Sequence, residues 1–160
     1  MEKYKEAELK LNEYPNPTHF HDMSVVNMKF SGDTVKIRFI LAKYMDDFEI
    51  LEDDDHFAIL DVIYSGVKIN KINLEGLIDF RTSKVYSLKE ENGIVSLNLH
   101  NETFDFYFYL EFSCNDYKWS IKDIILTEEY YKYSDSLKEC VDEIIKIQEI
   151  DTPDWSRFDD

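Results

Sequence analysis

The stretch Val25-Val26-Asn27-Met28-Lys29-Phe30-Ser31-Gly32-Asp33-Thr34-Val35-Lys36-Ile37-Arg38-Phe39-Ile40-Leu41 decides the fold class. Val26, Met28 and Phe30 alternate with polar neighbours. After Ser31-Gly32-Asp33 the alternation resumes at Val35, Ile37, Phe39 and Leu41. Successive side chains of an extended chain point to opposite faces, so a period of two marks a β-hairpin with one buried face.

The same signal recurs downstream. Residues 57–65, Phe-Ala-Ile-Leu-Asp-Val-Ile-Tyr-Ser, are nearly continuously apolar, as in a central strand covered on both faces. After Gly66 a weaker strand carries Ile69, Ile72 and Leu74, and the spacing of three between the isoleucines predicts a bulge. Leu74 to Arg81 reads as a helical turn. Asn92-Gly93 suits a two-residue hairpin turn, because both residues tolerate positive φ, and joins Val85–Lys89 to Val95, Leu97 and Leu99. From Thr103 to Phe112 one face holds Phe104, Phe106, Phe108, Leu110 and Phe112, and the other holds Asp105, Tyr107, Tyr109 and Glu111. Tyr117–Leu126 starts in phase and slips at Lys122-Asp123, again as a bulge would.

Residues 1–12 fit a short helix, closed off by Pro15-Asn16-Pro17. Ser136-Leu137-Lys138-Glu139 has the form of a capping box, and Leu137, Cys140, Val141, Ile144 and Ile145 then share one helical face. The expected organisation is a single domain over 1–160. It comprises an N-terminal segment 1–18, an antiparallel sheet 23–128, a C-terminal helix 135–150 and an acidic tail 151–160. The fold class is α+β, mainly antiparallel β. Seven or eight strands in meander order would form a twisted sheet, a sandwich or an open barrel.

Composition narrows the function. Thirty-four acids face eighteen bases, for a formal charge of −16, while 44% hydrophobic residues are enough for an ordinary core. Such a surface repels phosphate backbones and anionic lipid heads, so direct nucleic-acid and membrane binding are disfavoured. It attracts a basic protein partner and accelerates the encounter. The plainer reading is that the charge only keeps the protein soluble and monomeric. The charged opening Met1–Glu6 has no apolar stretch of signal-peptide type, and the apolar runs are short, so a cytoplasmic protein is expected. Cys114 and Cys140 then read as reduced core thiols, with one disulfide as the lesser option.

Motifs for catalysis are scarce. Four glycines are never clustered, which excludes phosphate-cradling loops, and no nucleophile elbow occurs. His19-Phe20-His21-Asp22 sets two imidazoles on one side of an extended segment, where a metal site could start. The simpler account is a His21–Asp22 hydrogen bond at a local turn. No catalytic residue, metal ligand or cofactor is therefore assigned. The alternative is a small β-fold enzyme or metal-dependent hydrolase using His19 and His21.

The segment 46–55 holds seven acids in ten residues and reads as a solvated loop or short edge segment. Asp46, Asp47, Glu49, Glu52, Asp53, Asp54 and Asp55 form the candidate contact with a basic partner. Tyr107 and Tyr109 join them, since a tyrosine can bury its ring while its hydroxyl stays wet. The same mixture recurs at Glu128-Glu129-Tyr130-Tyr131-Lys132-Tyr133. The competing account has these tyrosines covering a second apolar layer or the helix.

Phe20-His21-Asp22, followed by Val25-Val26-Asn27-Met28-Lys29-Phe30 and Val35-Lys36-Ile37-Arg38-Phe39, resembles the opening of a loose group of small acidic bacterial proteins. Some of these look like immunity proteins of polymorphic toxin systems. The resemblance spans Phe20 to Phe39 alone and carries no catalytic residues. It implies a protein that binds and blocks a toxin domain, such as a nuclease. An acidic mimic of nucleic acid shares the charge argument but would block a nucleic-acid-binding protein instead.

Overall fold

The computed structural model describes residues 4–13, 20–46, 48–74, 83–101 and 106–135. A helix α1 (Lys5–Glu13) precedes the strands β1 (Ser24–Ser31), β2 (Thr34–Leu41), β3 (His56–Ser65) and β4 (Lys68–Leu74). Then come β5 (Ser83–Glu91), β6 (Ile94–Asn101), β7 (Phe106–Ser113) and β8 (Asp116–Leu126). Residues 127–135 are helical and are labelled α2 here.

All eight strands pair antiparallel in one sheet of order β4-β7-β6-β5-β1-β2-β3-β8. Two meanders, β1-β2-β3 and β5-β6-β7, join through β1 and β5, with β8 and β4 as the outer edges. The sheet is open, but it curls strongly. The Tyr64 ring on β3 meets the Phe112 ring on β7 edge-on at 4.9 Å, although four strands separate them in the sheet.

Local chemistry sets the turns. Asn92 and Gly93 both take positive φ, 54° and 77°, and close β5 onto β6 with Glu91 opposite Ile94. The Glu90 carboxylate accepts the Gly93 amide at 3.0 Å and holds that turn. Gly32, at φ 59°, does the same between β1 and β2. The bulges expected in β4 and β8 are present, between Ile69 and Lys71 and where Ile121 and Asp123 face Leu60 and Ile59.

A bulge in β1 corrects the expected single face of Val26, Met28 and Phe30. The register shifts between Val25 and Asn27, which sends Val25 and Met28 into the main core and Val26 to the opposite side. Phe30 is half exposed near the strand end.

The concave face buries the main core. Ile37, Phe39 and Leu41 on β2, Leu60 and Val62 on β3, Leu97 and Leu99 on β6, and Trp119 on β8 belong to it. The convex face carries a second, smaller layer in which Tyr130 and Tyr133 of α2 cover Val26, Ile40, Phe57, Ile59 and Ile125. This double covering explains the apolar run of β3, which lies next to the edge and is nevertheless buried on both faces. In the same convex rows Arg38 and Asp61 form a buried bidentate pair, with Nε to Oδ1 at 2.7 Å and the second guanidinium nitrogen to Oδ2 at 2.9 Å.

The two edges are handled differently. An exposed edge strand invites pairing with other chains. On β8, α1 blocks that side with polar side chains: the Asn12 carboxamide accepts the Trp119 amide at 2.8 Å and donates to the Trp119 carbonyl at 3.0 Å. Glu8 accepts the Ile121 amide at 2.9 Å. On β4 the protection is charge, with Lys68 and Lys71 flanking exposed Ile69 and Ile72. Asn12→Ala is expected to cost about 1–3 kcal/mol, since it leaves the half-buried Trp119 edge groups unpartnered. Concentration-dependent light scattering should also rise as the edge opens. Both are read on one purified variant.

The helix at 127–135 precedes the expected C-terminal helix 135–150, whose capping box lies outside the described residues. The chain is already helical from residue 127, where Glu128 and Glu129 were assigned to an acidic surface and Tyr130 and Tyr133 instead bury. Residues 136–150, the tail 151–160, the turn expected after Leu74, Phe104 and Cys140 lie outside the described residues.

Candidate functional site

The acidic segment is a loop, though not a freely solvated one. Phe48, Ile50 and Leu51 are inserted into the main core, and Phe48 stacks on Phe20 with centroids 6.3 Å apart. Asp46 serves as an internal brace: its two carboxylate oxygens accept the amides of Phe48 and Leu51 at 3.1 and 2.7 Å. Lys43 donates to the Leu51 carbonyl at 2.7 Å and closes the base of the loop.

Pinned from beneath, the loop directs its remaining acids outward. Glu49, Glu52, Asp53, Asp54 and Asp55 are exposed, and Glu49 adopts a left-handed φ of 59°. Asp53 accepts the Asp55 amide at 2.9 Å and pairs with His56 Nδ1 at 2.8 Å. The His56 hydrogen bond holds its carboxyl below the usual carboxylate range. Asp47 lies outside the described residues. Asp46 is thus a structural brace, whereas the other described acids of the segment face solvent.

The tyrosines divide in the same way. Tyr107 is 46% exposed and stacks on His100 with centroids 4.5 Å apart. Tyr109, on the same face of β7, is engaged locally: its hydroxyl donates to Glu111 at 2.9 Å, and Lys71 sits 5.5 Å over its ring. Tyr130 and Tyr133 are core residues of the convex layer, as the competing account had it, and Tyr131 remains 54% exposed. Burial pushes the Tyr130 hydroxyl pKa up, partly offset by hydrogen bonds to Ser24 and Ser134.

These elements converge at one end of the sheet. Strand register places Ser24, Lys84, His100 and Tyr107 side by side across β1, β5, β6 and β7. Beside that row, between the sheet and α2, lies a cleft of about 290 Å³. Tyr44 and Met45, at the base of the acidic loop, line it together with Tyr131, Lys84, His100 and Asp22. The loop base, the neighbour of Tyr107 and the 128–133 segment therefore share one cleft, whereas Tyr109 lies outside its lining. Ile40, Ala42 and Phe57 supply its apolar surface.

The Phe-His-Asp motif has a clear structural division of labour. Phe20 is buried and lies flat on Trp119, with centroids 4.7 Å apart and planes 2° from parallel. Asp22 takes a positive φ of 72°, its amide donates to the Val85 carbonyl, and its carboxylate meets His21 Nδ1 at 3.2 Å. His19 lies outside the described residues. Among the described residues no group of three or more His, Cys, Asp or Glu converges as a metal site would require. Cys114 is a free, half-buried thiol whose pKa is raised by burial and by the nearby carboxylates of Glu90 and Asp116. That environment favours the unreactive thiol over the nucleophilic thiolate.

Lys84, His100, Tyr44 and Tyr131 are the site residues that periodicity does not reveal. The meeting of Lys84 and His100 depends on a bulge between Val85 and Ser87, which sets Lys84 rather than Val85 opposite His100. No family model, curated protein or solved structure matches the chain. Among the described residues no helix is long and apolar enough to cross a membrane.

Proposed function

We propose that this chain is a non-catalytic acidic binding protein, an immunity-type inhibitor that neutralises a basic partner such as a toxin nuclease domain. The observation that carries the reading is the construction of the loop 46–55. Five exposed carboxylates project from a base fixed by three buried apolar side chains and a doubly hydrogen-bonded Asp46. A loop already held in place loses less conformational entropy when it docks. Its charge speeds encounter with a cationic surface. The carboxylates occupy positions that substrate phosphates would take on a nuclease.

The test replaces Asp53, Asp54 and Asp55 together with asparagine. Wild-type protein immobilised as bait should retain a basic protein from the native cell at low salt, and the triple variant should not. With that protein purified, stopped-flow association should slow by roughly ten- to a hundredfold, with a flatter dependence on ionic strength. An on-rate equal to wild type would remove the loop from the interface.

A further inference from the structure

We propose that the cleft between α2 and the sheet binds a compact anionic ligand, a carboxylate or phosphate monoester on a small apolar body. Lys84 and His100 would be its anion-binding pair. The site is separate from the outward acids of the loop and stands whether or not that loop docks on a partner.

Three features carry this. Lys84 is a half-buried lysine with no ion pair among the described residues, in a chain where acids outnumber bases thirty-four to eighteen. An ammonium in a recess keeps part of its desolvation cost until an anion compensates it. Second, cross-strand register fixes the neighbours of that cation: Ser24 lies opposite it on β1 and His100 opposite it on β6. Lys84 and His100 therefore reach the cleft from adjacent strands, with the Ser24 hydroxyl beside them hydrogen-bonded to Tyr130 and with Tyr107 stacked on the His100 ring. Third, the cleft is of ligand size, about 290 Å³, and Ile40, Ala42 and Phe57 give it an apolar patch beside Asn101, Ser134 and the tyrosines. A few convergent polar groups beside an apolar patch suit an anionic head on a small hydrocarbon or aromatic body. Asp22 shares the lining, and its carboxylate is turned to His21. Its negative charge in the same lining would weaken the binding of an anion.

The probes are benzoate, phenyl phosphate and the uncharged isostere benzamide. They are titrated at constant ionic strength into the isotopically labelled full chain, with the imidazole resonances followed by NMR. The His100 signal, assigned by its loss in His100→Gln, should move saturably with benzoate, phenyl phosphate or both. It should stay in place with benzamide, and the signal of His56, which starts β3 and pairs with Asp53 of the loop, should not respond. A response to benzoate alone names a carboxylate ligand, and a response to phenyl phosphate alone names a phosphate monoester. Lys84→Met should weaken binding at least about tenfold, Lys84→Arg should restore it, and Asp22→Asn should tighten it about two- to tenfold. The proposal is overturned if neither anion gives a saturable shift, if benzamide matches them, or if Lys84→Met binds as wild type does.

Discussion

Trp119→Ala is expected to destabilise the domain by about 3–5 kcal/mol, the range for emptying a large aromatic from a core. Trp119 is 2% exposed and sits between Phe20, parallel at 4.7 Å, and Phe39 at 5.5 Å. Its backbone is also the edge that Asn12 clasps. The residue thus ties β2, β8, α1 and the Phe-His-Asp segment to one another. Because a domain has only about 5–15 kcal/mol in hand, the loss threatens folding itself. A thermal midpoint lowered by roughly 10 °C or more is the expected readout. A shift of only a degree or two would mean that the surrounding aromatics collapse into the space.

Arg38→Met is expected to cost about 3–5 kcal/mol by a different route. Arg38 is 1% exposed and its guanidinium is the bidentate partner of buried Asp61. Methionine keeps much of the side-chain bulk but leaves a carboxylate in a low-dielectric layer. Lys36, with Nζ 3.7 Å from Asp61 Oδ2, compensates only in part. The diagnostic variant is Arg38→Met combined with Asp61→Leu. Burying a good ion pair yields little net stability, so removing both charges should recover most of the loss in chemical denaturation. A double variant no better than the single one would show that the pair contributes through geometry, not through compensation of charge.

Features that depend on near neighbours in the chain were legible from sequence. The alternation of β2, the Asn92-Gly93 turn and the bulges of β4 and β8 all rest on local rules, and each is present. Pairings between distant segments were not. Nothing local tells β1 to accept β5, or β8 to lie against β3. The acids of the loop were visible as charge, yet their rigidity comes from Phe48, Ile50 and Leu51 reaching a core built mainly by other segments. Tyr130 and Tyr133 illustrate the same limit. Composition cannot distinguish a wet tyrosine from a buried one until the convex layer that receives it is known. The cleft required most of all, because a one-residue shift in β5 decides which side chain faces His100.

The clasp of α1 on β8 also bears on how the chain reaches this state. Asn12 and Glu8 meet Trp119 and Ile121, partners more than a hundred positions away. During synthesis α1 emerges well before β8 and must wait for it. Contacts of such long range slow folding, because loop-closure entropy is lost before the contact is gained. Until they form, the outer side of β8 is an unpaired ribbon. The time between completion of β8 and arrival of α1 is therefore the interval in which this protein is most exposed to misassembly, and the length of that interval, more than native stability, should set its yield at high expression.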